Sequence, residues 1–178
     1  MALKATIFKA DLRIADMNRN HYQDYALTIA RHPSETDRRM MVRILAYALH
    51  AQDNLIFTRG LSTDDEPDLW CKSLSDEILL WIDLGQPDEK RIRKACGRAR
   101  EVWIYTYNDR SAKIWIKQLR DRLERFDNLH IIHLPETSII QLTALAQRNM
   151  QLQCSIQDGA IWLGNVEQNI EIEPECWK

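Results

Sequence analysis

The fold of this chain is decided by residues 67–84, which read PDLWCKSLSDEILLWIDL. A polar pair, Ser75-Asp76, interrupts two runs rich in apolar and β-branched residues. Such runs bounded by turn residues predict strands, here over 67–74 and 77–84, joined by a turn of two residues. The stretch is therefore predicted to form an antiparallel hairpin.

The register of this hairpin places like residues opposite each other. With a two-residue turn, Trp70 faces Trp81 and Asp68 faces Asp83. The aromatic pair favours the hairpin, whereas two like charges directly opposite destabilise it. A divalent cation would offset that repulsion, and Mg²⁺ or Mn²⁺ commonly takes one or two carboxylates while keeping waters for substrate phosphates. The alternative is a register shifted by one residue, with two aspartates that simply face solvent.

The flanking sequence supplies helices and further strands. Before residue 67 we predict an alternating hairpin over 8–29, a helix over 34–49 and a strand over 55–57. After residue 84 we predict a helix over 87–97, a strand over 102–107, a helix over 109–126, a strand over 129–134, a helix over 137–147, and a hairpin over 150–163 that turns at Asp158-Gly159. These elements predict an α/β fold of the α+β mixed-sheet kind, in a single domain over 1–178.

Two helix starts carry local signals. Ser34, with Asp37 three residues later, predicts a capping box. Pro87 is predicted to be the first residue of its helix. Glu35 lies in the first turn of the earlier helix, where an acid complements the helix dipole by ~0.3–1 kcal/mol. Glu35 therefore has a sufficient structural explanation before any chemical role is considered.

Composition limits the classes of partner. The chain has 178 residues, 45% hydrophobic and 28% charged, which suits one globular domain. Its net charge of -2 argues against a dedicated, tightly binding nucleic-acid protein. There is no apolar run near the ~20 residues that span a bilayer and no secretory apolar segment, so we expect a cytoplasmic protein without a membrane partner. The four cysteines are widely spaced, so we expect reduced thiols rather than a zinc site or disulfides.

Cations are concentrated in one region. The basic segment consists of Lys90, Arg91, Arg93, Lys94, Arg98 and Arg100, and the first helix adds Arg38, Arg39 and Arg43. On a helix beside Asp68 and Asp83, the segment Lys90–Arg100 would contact phosphates and bind nucleic acid without sequence preference. The alternative is a solvated helix face whose charges pair with neighbouring acids.

Several long blocks resemble a known family. They are ADMNRNHY (15–22), ARHPSETDRRMMVRILAYAL (30–49), FTRGLS (57–62), EPDLW (66–70), WIDLGQPDEKRIRKACGRA (81–99) and LQCSIQDG (152–159). Together they span nearly the whole chain and are similar to the bacterial YaeQ family. More broadly, Glu35, then Pro67-Asp68, then Asp83 on the next strand resembles the PD-(D/E)XK nuclease superfamily.

The superfamily resemblance implies both a fold and a site. It implies a restriction-endonuclease-like core over about 33–107, flanked by N- and C-terminal β-hairpins. It implies that Asp68 and Asp83 hold Mg²⁺ or Mn²⁺, with Glu35 as an auxiliary ligand or water-positioning acid. The expected activity is metal-dependent hydrolysis of phosphodiester bonds in nucleic acid.

One part of the superfamily pattern is missing. A lysine is expected two residues after the second acid, and Gly85 stands there. Gln86 offers a polar substitute, and Lys90 or Lys94 on the following helix could supply the cation. Losing a cation near developing charge can cost orders of magnitude in rate. The alternatives are therefore a catalytically inactive nuclease fold that serves as a nucleic-acid or protein interaction or regulatory module, and a purely structural partner of another protein.

Overall fold

The computed structural model describes residues 3–59 and 64–178. Within those ranges the chain forms eleven strands and four α-helices. In chain order they are β1 (Thr6–Asp16), β2 (His21–Arg31), α1 (Asp37–His50), β3 (Leu55–Phe57), β4 (Leu69–Lys72), β5 (Ile78–Leu84), α2 (Glu89–Arg98), β6 (Ala99–Thr106), α3 (Asp109–Leu123), β7 (Leu129–His133), α4 (Glu136–Thr143), β8 (Asn149–Gln157), β9 (Ala160–Gly164), β10 (Asn169–Ile172) and β11 (Glu175–Cys176). None of the helices in the described ranges combines the length and apolar character needed to cross a bilayer.

The chain divides into two compact units. The first combines Met1–His50 with Thr137–Pro174, and the second combines Ala51–Glu136 with Glu175–Lys178. The described strands form one mixed sheet in each unit, ordered β10-β9-β8-β1-β2 in the first and β11-β7-β6-β5-β4-β3 in the second. The mixed α/β class is confirmed, although there are two sheets rather than the single mixed sheet expected. A single domain over 1–178 stays a prediction.

The first unit is organised by its alternating strands. β1 pairs with β2 along its whole length and runs parallel to β8 on its other side. Apolar residues of β1 alternate with polar ones, so Leu12 and Ile14 are 1% exposed. The predicted hairpins over 8–29 and 150–163 are confirmed, and Asp158 and Gly159 both have positive φ, 51° and 82°, as a tight hairpin turn requires.

Helix α1 has a different cap from the one predicted. The Thr36 hydroxyl accepts the Arg39 backbone N–H at 3.1 Å, immediately before the helix begins at Asp37. The capping box at Ser34 is wrong, because the Ser34 hydroxyl lies 2.6 Å from His32 Nδ1 in the preceding turn. Every residue of α1 from Met40 to Ala48 is buried.

The β4–β5 hairpin has the predicted register but a different turn. Trp70 pairs with Trp81, as predicted. The loop is longer than two residues, since the Ser73 N–H donates to the Glu77 carbonyl at 2.9 Å. A β-bulge follows, in which Leu79 is the extra residue between the partners of Cys71 and Lys72. The two departures compensate, so Leu69, Trp70 and Cys71 keep the expected partners.

The second unit places α2 and α3 on one face of its parallel strands β5, β6 and β7. The core residues of this layer are Ile78, Trp81, Ile92, Ala95, Ala99, Val102, Ile104, Trp115, Ile116, Leu123, Leu129 and Ile131. Pro87 is not the first helical residue, because Asp88 is the N-cap and accepts the Arg91 N–H at 2.8 Å.

Helices α3 and α4 end earlier than the predicted residues 126 and 147. Beyond α3, the Phe126 N–H donates to the Leu123 carbonyl at 3.1 Å. Beyond α4, the Ala146 N–H likewise donates to the Thr143 carbonyl at 3.1 Å. These bonds join residues three apart, so the last turns tighten and the α-helical pattern stops.

Candidate functional site

The β4–β5 hairpin brings Asp68 and Asp83 together. Asp68 directly precedes β4, and its backbone N–H donates to the Ile82 carbonyl at 2.9 Å. Its side-chain Oδ2 accepts the Leu84 backbone N–H at 2.8 Å. Asp68 and Asp83 are only 3% and 2% exposed. The two carboxylates are therefore buried neighbours at one end of the hairpin.

Arg91 of α2 is bonded to Asp83 of this pair. Its Nε and Nη2 donate to the two carboxylate oxygens of Asp83, each at 2.9 Å, in a bidentate ion pair. The same guanidinium donates to the carbonyls of Asp64 at 3.0 Å and Glu66 at 2.9 Å. Arg91 thus joins Asp83 to the loop that leads into Asp68.

The start of α2 determines where Arg91 lies. Asp88 caps the helix through the backbone N–H of Arg91, so Arg91 is fixed in the first turn. Gly85 connects β5 to this helix at φ 94°, a conformation that glycine adopts without steric cost. A lysine at this position would be strained by the backbone, even though a Cβ would meet no atom within 4 Å. The missing motif lysine therefore has a local structural reason.

Burial dominates the electrostatics of Asp83. It raises the pKa of Asp83, Arg91 opposes that rise, and the neighbouring charge of Asp68 adds to it. Burial also acts to lower the pKa of Arg91, but Asp83, Asp68 and Asp64 together raise it above its usual value. The guanidinium therefore stays charged, and the buried carboxylate depends on it.

Glu35 belongs to the first unit and has its own cations there. Arg43 Nε donates to Glu35 Oε1 at 2.8 Å and Arg43 Nη2 to Oε2 at 2.7 Å. Arg39 forms a further ion pair with Glu35 at 3.5 Å, and Arg43 also donates to the Ala30 carbonyl at 3.1 Å. Glu35 is thus the acceptor of a buried ion pair, and its role as a metal ligand stays a prediction.

Two of the residues proposed to replace the lysine make contacts with other side chains, and their catalytic roles stay predictions. Gln86 Nε2 donates to the Ser111 hydroxyl at 2.7 Å, and Lys94 pairs with Asp65. Lys90 is exposed and has no ion-pair partner in the part of the chain that is described. Sequence reasoning missed Arg91 as a site residue, although one signal was present: Arg91, Lys94 and Arg98 share a helix face through their three- and four-residue spacing.

Most of the basic segment is used inside the molecule. Arg91, Lys94 and Arg98 all bond to the loop of residues 64–66, with Arg98 Nη1 donating to the Asp65 carbonyl at 2.9 Å. Arg100 makes a bidentate pair with Glu77 at 2.7 and 2.8 Å. Among residues 3–59 and 64–178, Lys90 and Arg93 are the members of the segment that are exposed and make neither an ion pair nor a side-chain hydrogen bond.

Comparison with known proteins identifies the family of this chain. The family model described as "YaeQ protein" matches residues 1–174. The chain belongs to the YaeQ family. The YaeQ protein of Salmonella typhi is 49% identical over 178 residues, with 100% of this chain and 98% of the relative covered. The YaeQ protein of Escherichia coli (strain K12) is 48% identical with the same coverage. The resemblance to YaeQ seen in the sequence blocks is confirmed.

Solved YaeQ structures have the same fold. The crystal structure of YaeQ protein from Xanthomonas axonopodis pv. citri superimposes with a TM-score of 0.95 at 45% identity, covering 98% of each chain. The crystal structure of YaeQ protein from Pseudomonas syringae superimposes with a TM-score of 0.93 at 33% identity, covering 98% of this chain and 96% of the other. The two-sheet architecture is thus shared with these YaeQ proteins.

The pair Asp68 and Asp83 provides donors of the right kind for Mg²⁺ or Mn²⁺, but few of them. No group of three or more His, Cys, Asp or Glu side chains within the described ranges is arranged to hold a metal ion. Two carboxylates are nevertheless enough for Mg²⁺, which keeps several of its waters. Both oxygens of Asp83 already accept bonds from Arg91. A metal therefore fits the donor set in competition with the guanidinium.

Proposed function

We propose that this YaeQ-family protein is a Mg²⁺- or Mn²⁺-dependent nuclease of PD-(D/E)XK type, with Asp68 and Asp83 as its metal-holding carboxylates. The observation that carries the proposal is the burial of these two acids side by side. Taking carboxylates out of water costs free energy, and burial raises the pKa of Asp83. Groups perturbed in this way are concentrated at functional sites.

The surrounding residues have distinct tasks in this proposal. A divalent cation held by Asp68 and Asp83 would polarise the scissile phosphate and activate water. The Leu84 N–H orients the Asp68 carboxylate. Arg91 supplies positive charge beside Asp83 in place of a lysine at Gly85. The exposed Lys90 and Arg93 would contact backbone phosphates, which gives binding without sequence preference.

Cytoplasmic nucleic acid is the substrate class we propose. The four cysteines, Cys71, Cys96, Cys154 and Cys176, are free thiols in the structure. Free thiols are typical of proteins in reducing compartments. The number of available cations is small, so binding should be weak and sensitive to salt.

A second candidate function follows from the Arg91 contact. The guanidinium donates to both oxygens of Asp83, and the motif lysine is replaced by Gly85. A protein with such a site would keep the nuclease fold but would not cleave nucleic acid. The protein would then be a nucleic-acid or protein interaction or regulatory module.

Cleavage assays on purified protein test the nuclease directly. Labelled DNA and RNA, single- and double-stranded, are incubated with Mn²⁺, with Mg²⁺ or with EDTA. We expect Asp68→Asn and Asp83→Asn to lower the rate at least about a hundredfold, because charge stabilisation by a metal is worth several kcal/mol. Asp127→Asn, an exposed acid in the same unit, is the matched control and should leave the rate unchanged.

The outcomes separate the two candidates. Cleavage that survives both substitutions would come from another site or a contaminant and would rule out the nuclease proposal. Salt-sensitive oligonucleotide binding that falls on Lys90→Ala and Arg93→Ala, without cleavage or Mn²⁺ binding by the wild type, would favour the inactive binding module.

A further inference from the structure

A cavity of about 370 Å³ lies between α3 and the end of the chain in the second unit. Its volume is within the roughly 300–1,000 Å³ of small-molecule sites. It is lined by Lys113, Ile116, Lys117, Arg120, Asp121, Glu175 and Trp177. A second depression of about 310 Å³ adjoins it and shares Ile116, Arg120 and Trp177. The indole of Trp177 is therefore a wall common to both spaces.

The indole is held rigidly from one side. Trp177 stacks on His133 with a centroid distance of 4.4 Å and an interplanar angle of 10°. His133 is itself buried and bonded to Thr106 at 2.7 Å and Asp109 at 2.9 Å. The backbone of Trp177 continues the β11–β7 pairing through its N–H, which donates to the Ile131 carbonyl at 2.9 Å. A second planar ring stacked on Trp177 would meet a preorganised surface, which lowers the entropic cost of binding.

The cations of the cavity come from one helix face. Lys113, Lys117 and Arg120 follow a four- and three-residue spacing on α3, so their side chains project in the same direction. In the described ranges none of the three forms an ion pair. Of the two acids in the lining, Glu175 accepts the Trp177 indole N–H at 3.1 Å. The lining therefore carries three positive and two negative side chains, which leaves one net positive charge.

We propose that this cavity binds a nucleoside monophosphate group, with the base stacked on Trp177 and the phosphate held by Lys117, Arg120 and Lys113. Aromatic stacking tolerates any base, and a phosphate can accept several charge-assisted hydrogen bonds. The group could be a free mononucleotide or the phosphorylated end of a strand. The proposal needs no metal and does not rest on Asp68 or Asp83.

Isothermal titration without metal tests the site. The ligands are adenosine 5′-monophosphate, adenosine, ribose 5-phosphate and a 5′-phosphorylated oligoadenylate, all in EDTA and with the full chain carrying Asp83→Asn, so that cleavage cannot contribute. We expect adenosine 5′-monophosphate to bind at least about tenfold more tightly than either of its halves, because both stacking and charge are needed.

Substitutions in the cavity locate the binding. The exposed double variant Lys117→Ala/Arg120→Ala should weaken adenosine 5′-monophosphate binding at least about tenfold, since it removes charge-assisted contacts. Arg110→Ala, an exposed cation on the same helix outside the cavity, is the matched control and should leave binding unchanged. Trp177→Phe should retain more affinity than Trp177→Ala, which should lose at least about fivefold. Thermal melts check that each variant is folded.

The titrations distinguish strand ends from free mononucleotides as the ligand of this cavity. Tighter binding of the phosphorylated oligoadenylate, with the same sensitivity to Lys117→Ala/Arg120→Ala, would assign the site to strand ends, and equal binding would assign it to free mononucleotides. The proposal is overturned if adenosine 5′-monophosphate does not bind, or if its affinity for the Asp83→Asn chain is the same with and without the Lys117→Ala/Arg120→Ala substitutions.

Discussion

Two buried carboxylate–arginine pairs in this molecule have the same bonding and different surroundings. In the Glu35–Arg43 pair, both side chains are closed to solvent, at 2% and 3% exposure. In the Asp83–Arg91 pair, the acid is 3% exposed but the arginine is 27% exposed, and Asp68 lies beside the acid. The closed pair is a structural tie. We propose that the open pair can exchange its cation for another ligand, as the proposed metal site requires.

The physical difference lies in what replaces a lost partner. When an arginine leaves a closed pair, no water reaches the carboxylate and the burial cost is uncompensated. When it leaves an open pair, water or a metal ion can take its place. Variants of the two arginines therefore test whether exposure, rather than bonding, separates the structural pair from the functional one.

The largest effect is expected for Arg43→Met. Removing the guanidinium leaves the buried Glu35 carboxylate without its main ion-pair partner. Such a loss typically lowers the free energy of unfolding by about 3–5 kcal/mol. Urea unfolding followed by circular dichroism measures the loss. The double variant Glu35→Gln/Arg43→Met should recover part of it, because the buried carboxylate charge is gone and only the partly exposed Arg39 loses a partner. A loss below about 1 kcal/mol would show that the closed pair is not a structural tie.

A smaller destabilisation is expected for Arg91→Met. Its cost should be about 1–3 kcal/mol, because solvent reaches the freed carboxylate. Mn²⁺ affinity measured by titration should rise at least about tenfold, since the guanidinium no longer competes for Asp83. Arg43→Met should show no such rise, and it is the control for general loosening of the fold. If Arg91→Met left the Mn²⁺ affinity unchanged, that result would count against the exchange of Arg91 for a metal ion at Asp83.

The smallest effect concerns pH. Because burial raises the pKa of Asp83 above its ordinary 3.8, the native protein binds this proton more tightly than the unfolded chain does. The contribution of Asp83 to stability is therefore complete below about 3.8, and it is lost as pH rises through the raised pKa. The stability of the wild type relative to Asp83→Asn should fall as pH rises through this window.

Urea unfolding of both proteins across the acidic range measures this difference. The pKa of Asp109 is lowered, mainly by its hydrogen bond with the Glu136 backbone and by His133. Its contribution to stability is therefore lost as pH falls, in the opposite direction to that of Asp83. Its contribution is common to both proteins and cancels in the comparison. A relative stability that instead rises with pH would mean that Arg91, and not burial, dominates Asp83.

The sequence by itself determined the elements that carry the site. Strand alternation repeats every two residues and is read locally, so Trp70 and Trp81 could be paired and Asp68 and Asp83 placed side by side. The register survived an error in the turn because the bulge at Leu79 restored it. Strand alternation is reliable here because it depends on neighbours only a few residues away, whereas the local capping signals at Ser34 and Pro87 were wrong.

Only the tertiary structure decided what each acid contacts. Arg91 reaches Asp83 because the cap at Asp88 and the backbone at Gly85 direct α2 onto the strand ends. The division into two sheets depends on pairings such as β1 with β8, between segments far apart in the chain. Such contacts depend on which distant surfaces pack together, and periodicity within a short segment carries no information about that choice.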